Sequence, residues 1–275
     1  MKKEKGYLIL GLICLVCAGI TGGLLLRYGL QSHKQQEQYD AIAQIYHEND
    51  GPPDEKVTSQ DTDKSQDAET DAIPSTARLQ ELNPDCVGWL QIPDTGLDYP
   101  VVYRDNQYYL THNFMDERAS AGAIFLDEGC DPDGDIRLLH GHHMKDGSMF
   151  GILTHYRNLD FLRRHPLIAF STLWEKEAYV VFAVLVVSSR TGDTGYFNYF
   201  DHATFTSGED FDSYILALRN RSRFEIPVDV ECGDALLTLS TCIDDDRLVV
   251  AARRLRVGET KDELSAAVEA AYRQR

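Results

Sequence analysis

The sequence predicts a mainly β fold, a barrel or sandwich with peripheral helices, behind one N-terminal membrane helix. Three observations lead there. From Cys86 onward, short segments rich in Val, Ile, Leu and Tyr follow one another closely, each closed by Gly, Asp or Pro. The helical patterns between them are too sparse for repeated βαβ units. Before them all, no charge interrupts the apolar run between Lys5 and Arg27.

That first run reads GYLILGLICLVCAGITGGLLL. About 20 apolar residues at ~1.5 Å rise span a bilayer core, whereas a secretory signal has an apolar region of only ~7–15 residues and a small-residue cleavage site. Residues 1–27 are therefore expected to be a cytoplasmic stub and signal anchor, with Lys2, Lys3 and Lys5 held inside and everything from residue 28 outside. A cleaved signal is the alternative, and it too exports the remainder. Residues 28–48 can continue as a polar helix. Residues 49–74 are acidic, rich in Ser, Thr, Asp and Pro, and nearly free of large apolar groups, so they read as a disordered spacer.

A folded domain is expected from Ser75, opening with the helical STARLQELN. VGWLQI, YPVVY, AGAIFLD, IRLLHGH, EAYVVFAVLVVSSR, LLTLSTC and RLVVAARRLRV then read as strands. SMFGILTHY and EDFDSYILALRNRS have helical spacing, with Ser207 or Glu209 near the start of the second. The domain ends near Gly258, and residues 259–275 read as a terminal helix, acidic at its start and basic at its end.

The net charge of −17 leaves no basic stripe for nucleic acid and argues against lying on an anionic lipid surface. Cys86, Cys130, Cys232 and Cys242 remain in the exported part, where disulfides are permitted but connectivity cannot be read from spacing. No CxxC pair occurs there, which disfavours a zinc ribbon or a thioredoxin-type centre.

Cys242, at the end of TLSTC, is the one cysteine with candidate helpers. Arg247 opens the next strand and supplies a cation with a fork of donors. LLHGHHMKDG brings His140, His142 and His143 to another strand end, and strand ends converge on one face of a fold. A Cys/His pair assembled this way suits nucleophilic catalysis. The plainer readings are a small buried cysteine, a histidine metal site lacking its third ligand, an edge-strand arginine, and Asp244–Asp246 as a solvated hairpin turn.

From about Ser75 to Arg256 the chain resembles a sortase, specifically class B. The resemblance rests on GWLQIPDTGLDYPVVY, DNQYYLTHNF, SAGAIFLD, LHGHHMKDGSMFGIL, EDFDSYILALRNRS, and TLSTC followed by RLVVAARR. It implies a closed β-barrel of about eight strands over residues 75–258, with no cofactor. It also implies His142, Cys242 and Arg247 as catalytic residues, with Ser240 and Thr241 of the LSTC signature at the substrate. Only IDDD separates the cysteine from the arginine strand, shorter than is usual in the family, and Ile243 stands where an acidic side chain is common. The activity implied is cleavage of a C-terminal sorting signal after Thr, then transfer of the acyl group to a peptidoglycan precursor or cross-bridge amine. The partners implied are secreted proteins bearing that signal, at a single-pass cell-membrane enzyme with an extracellular catalytic domain. An L,D-transpeptidase-like acyltransferase and a non-catalytic module on a degenerate fold stay open as alternatives. LSTC lacks the glycine of the former's signature.

Overall fold

The computed structural model describes residues 2–48, 74–199 and 205–273. The chain divides into two compact units, up to Gln44 and from Ile45. Helix α1 (Lys2–Glu48) makes up the first unit, and its last residues belong to the second. Among the described residues no helix is long and apolar enough to cross a membrane. The expected membrane span falls largely on residues 2–13 and 24–26, whose side chains lie outside the description, and the expected spacer at 49–73 lies outside it altogether.

The second unit continues through α2 (Pro74–Leu82), β1 (Cys86–Gln91), β2 (Asp98–Tyr103), β3 (Ile124–Leu126), β4 (Ile136–His140), α3 (Leu159–Arg164), β5 (Leu167–Ser171) and β6 (Lys176–Ser188). Then come α4 (Gly208–Arg221), β7 (Phe224–Glu225), β8 (Leu236–Ile243), β9 (Asp246–Arg254), α5 (Lys261–Glu269) and β10 (Tyr272–Arg273). Eight strands close a barrel in the order β1-β2-β3-β4-β8-β9-β6-β5, the closed β architecture expected. The β2–β3 and β4–β8 pairs are parallel and the rest antiparallel.

The near-continuous apolar runs of β6, β8 and β9 follow from burial on both faces. Val180, Val184, Leu237, Leu239, Val249 and Val250 are fully enclosed, and α4 and α5 both pack against β6. Ser207 caps α4, accepting from the Asp210 amide. A buried charged cluster sits at one end of the barrel. There Arg137 donates to Glu177 at 3.0 Å and to the Tyr179 hydroxyl at 2.8 Å, and Arg254 reaches the other Glu177 oxygen at 2.6 Å.

Three segments differ from expectation. SMFGILTHY forms a 3₁₀ run, Phe150–Arg157, in place of an α-helix. The terminal helix ends at Glu269, after which Tyr272 and Arg273 pair with Glu225 and Phe224 as a strand, and Arg163 donates to the Ala271 carbonyl at 2.6 Å. The compact unit starts at Ile45, thirty residues before the expected boundary. Tyr46 lies flat on Trp89, ring centroids 4.3 Å apart, and its hydroxyl donates to Ser171 at 2.8 Å.

Candidate active site

Parallel pairing of β4 with β8, in the register Leu139 to Leu239 and His140 to Ser240, brings both strands to their carboxyl ends at one barrel rim. The chain then reverses through Asp244 and Asp245, a two-residue turn closed by Ile243 opposite Asp246. Asp244 sits at φ +50, as the first residue of so tight a hairpin requires. This turn sets Cys242 directly across from Arg247. Side chains directly opposite in an antiparallel pair share a face with Cβ atoms ≈ 4.5–5.5 Å apart, and Arg247 Nη1 lies 2.8 Å from Cys242 Sγ. The Ser189 hydroxyl donates to the Asp245 carbonyl at 2.6 Å, tying the turn to the end of β6.

Strand alternation separates the LSTC residues. Ser240 and Cys242 line the cleft, whereas Thr241 is fully buried and its hydroxyl donates to the Gly141 carbonyl at 2.8 Å. Thr241 thus holds the segment that carries His142. A second stitch runs from the Gly141 amide to the Ser240 carbonyl at 3.3 Å. Beyond Gly141 the chain loops out and returns through a bridge between His143 and Met149, and the Phe150 amide donates to the His142 carbonyl at 3.0 Å. Met149 takes φ +51 there. A Cβ on Gly141 would stand 2.8 Å from the Phe150 ring, so the close return needs glycine.

Cys242, His142 and Arg247 share one cleft of about 260 Å³, walled also by Leu110, Phe125 and Ser240. Cys242 is exposed and free of any disulfide, and Arg247 and His142 are half-buried. His142 Nε2 lies 2.8 Å from the Leu110 carbonyl oxygen. Cys86 and Cys130 are buried free thiols, pushed up by burial to about 12 and about 11. Cys232 is free as well.

His140 lines the same cleft, but its ring is engaged by a carboxylate. His140 Nε2 is 2.9 Å from Asp127 Oδ2. Burial alone would raise the Asp127 carboxyl, but hydrogen bonds from His140, the Gly129 amide and Asn106 outweigh it and hold it below the usual range. Among the described residues no cluster of His, Cys, Asp and Glu side chains converges to hold a metal ion. Arg253, paired with Leu236, lies at the far end of the barrel. Asn106 and Asp127 stand in the cleft wall and Tyr199 beneath it, none of them a candidate from the sequence. The Tyr199 hydroxyl lies 2.7 Å from Ser240 Oγ, and burial pushes it up to about 12, so it serves as an un-ionised partner. The Asn106 segment is conspicuous in the sequence only as turn chemistry, and nothing near Tyr199 signals a buried hydroxyl.

Comparison with known proteins agrees with this architecture. The sortase domain family matches residues 90–255. Sortase B of Listeria monocytogenes is 38% identical over 170 residues, which is 60% of this chain and 65% of that protein, just under two thirds of its length. A Bacillus anthracis structure described as similar to sortase B superposes with a TM-score of 0.67 at 31% identity, covering 81% of this chain and 96% of the other. A Staphylococcus aureus sortase B–substrate complex superposes with a TM-score of 0.69 at 25% identity, covering 83% of this chain and all of the other (100%).

Proposed function

The chain belongs to the sortase family of cysteine transpeptidases, and from that footing we propose that Cys242 cleaves a C-terminal sorting signal after its threonine and passes the acyl group to a cell-wall amine. The observation that carries this reading is the Cys242 sulfur, free and exposed, with Arg247 Nη1 at 2.8 Å in a cleft shared with His142. A cysteine nucleophile needs a base within reach and donors aimed at the developing oxyanion.

In the first half-reaction the Cys242 thiolate adds to the scissile carbonyl. Arg247 donates to the oxygen as charge develops, and His142 protonates the departing amine. A thioacyl-enzyme remains. In the second half the acceptor amine adds to the thioester, His142 takes its proton, and the thiolate leaves. Ser240, in the cleft wall and fixed by Tyr199, borders the substrate. Thr241 acts from behind by holding Gly141. The Staphylococcus aureus relative described as a sortase B–substrate complex supports a substrate-binding role for this fold.

The apolar run between Lys5 and Arg27, with lysines before it, supports a membrane tether with the barrel outside the cell. Tethering would raise the local concentration of substrates emerging at the same surface. The test is to incubate the full chain in detergent with sorting peptides plus an amine acceptor, and separately with peptidoglycan stem peptides. Cleavage of sorting peptides with transfer to the amine is expected, and loss of both in Cys242→Ala. Reaction with stem peptides alone would reject the proposal in favour of an L,D-transpeptidase.

A further inference from the structure

His142 carries a constraint that its place in the sequence does not show. A carbonyl oxygen only accepts, so the 2.8 Å contact between His142 Nε2 and the Leu110 carbonyl requires a proton on Nε2. We propose that the Leu110 carbonyl fixes His142 in the Nε2–H tautomer, leaving Nδ1 as the one nitrogen that gives and takes protons during catalysis. The assignment of Nδ1 rests on the catalytic reading of His142 above. The tautomer itself does not.

The carbonyl is held in place from several sides. Leu110 ends a single 3₁₀ turn, Tyr108–Leu110, whose start is fixed by Asp105 accepting from the Gln107 and Tyr108 amides at 3.0 and 2.9 Å. Its end is fixed by the Thr111 amide on the Tyr108 carbonyl at 3.2 Å and by the Ala123 amide on the Tyr109 carbonyl at 3.0 Å. Gly122, at φ +57, lies against the same turn. A Cβ there would stand 2.3 Å from the Tyr109 oxygen and 3.1 Å from the Leu110 oxygen. The turn and the Gly122 backbone therefore set the direction in which the Leu110 oxygen points. Leu110 is a positioning residue, acting through its backbone.

The proton path balances with Nε2–H kept on Leu110 throughout. In acylation the imidazolium Nδ1–H passes to the amide nitrogen as its C–N bond breaks and the S–C bond forms. In transfer the Nδ1 lone pair takes a proton from the acceptor amine as the new N–C bond forms and the C–S bond breaks, returning the thiolate. An orienting acceptor on the far ring nitrogen sets which nitrogen stays free for chemistry. His140 follows the same rule, since its Nε2 faces the Asp127 carboxylate, which also only accepts.

The test is long-range ¹H–¹⁵N correlation on histidine-labelled full chain in detergent, with His142 assigned from the spectrum of His142→Gln. The expected result is one tautomer in the neutral ring, protonated at Nε2 and bare at Nδ1. A protonated Nδ1, or an even mixture, would overturn the proposal. Gly122→Ala supplies a second reading if it folds. It should broaden the tautomer population and lower turnover by roughly 10²-fold, with a smaller change in KM for the sorting peptide. A folded Gly122→Ala with unaltered tautomer and turnover would remove Leu110 from its role. Full turnover in His142→Gln beside an intact Nε2–H tautomer would instead sink the catalytic reading, and with it the proton-carrying role of Nδ1.

Discussion

Arg247 meets Cys242 because of strand parity. The two residues are opposite in the β8–β9 register, and a one-residue shift of that register would carry the guanidinium to the other face of the sheet. The short turn closes that register with Ile243 opposite Asp246. Arg247→Ala should lower kcat by roughly 10²–10³-fold, the usual loss for a donor aimed at an oxyanion, and steady-state kinetics with an unshifted melting temperature would show it. A folded variant with near-normal kcat would mean that another donor serves the oxyanion. Thr241→Val keeps the shape of the side chain but leaves the Gly141 carbonyl without its partner. It should cost about 1–3 kcal/mol in urea unfolding, and an unchanged midpoint would contradict its bracing role. Cys242 and His142 were legible in the sequence because a thiol and an imidazole at strand ends are unusual and fit a family signature. Period-2 alternation puts Thr241 on the face away from Cys242 but does not tell that it is buried. The family signature suggested substrate contact at that position, and only the bond to Gly141 reveals what the hydroxyl does.

The segment from Gly141 to Gly151 is the element that delivers His142, and it is built on tight backbone approaches. A Cβ at Gly151 would stand 2.4 Å from the Met144 carbonyl oxygen. Gly151→Ala must push that carbonyl aside, at a cost of about 1–3 kcal/mol by analogy with overpacking, and turnover should fall with it. Equilibrium unfolding and kinetics on the same sample test both halves, and a variant as stable and active as the parent would refute the tight fit. Helices with local punctuation were readable beforehand. Ser207 caps α4, and Thr260 with Glu263 forms a reciprocal capping box on α5. The tail was not. Its conversion to a strand depends on Phe224 and Glu225, far away in sequence, and on Arg163 reaching the Ala271 carbonyl. No helical period encodes such partners. The 3₁₀ run at Phe150–Arg157 was likewise hidden, since a short apolar helical pattern does not distinguish it from an α-helix.

Across the whole barrel, the densest ion-pair network lies at the end opposite the cleft. The far end is closed by Arg253, fully buried, donating to Glu259 at 2.6 and 2.7 Å and to Asp229 at 3.2 Å, beside Arg256 on Asp234 at 2.8 Å. Arg256 and then Arg253 hold Asp229 below the usual carboxylate range, and Arg253 does the same for Glu259. At Asp234 burial pushes upward, but the hydrogen bond from Arg256 and the rest of the network prevail. Folded-state values depressed below the unfolded ones give stability that is fully present above about pH 4–4.5 and is lost as pH falls through the folded values. Melting temperature should therefore hold from neutral pH to about 5 and fall steeply below 4, with a shallower fall in Arg253→Met. A parallel acid profile in that variant would exclude the network as the cause. The barrel as a whole was legible from apolar runs and turns, whereas this network was not, because its acidic partners come from loops with no pattern of their own. Cys242 as the nucleophile is tested most directly by intact and tryptic mass spectrometry of the full chain trapped with a sorting peptide. The expected result is one acyl adduct, on the peptide containing Cys242, absent in Cys242→Ala and released by an added amine. An unmodified Cys242, or an adduct on Cys232 instead, would contradict it.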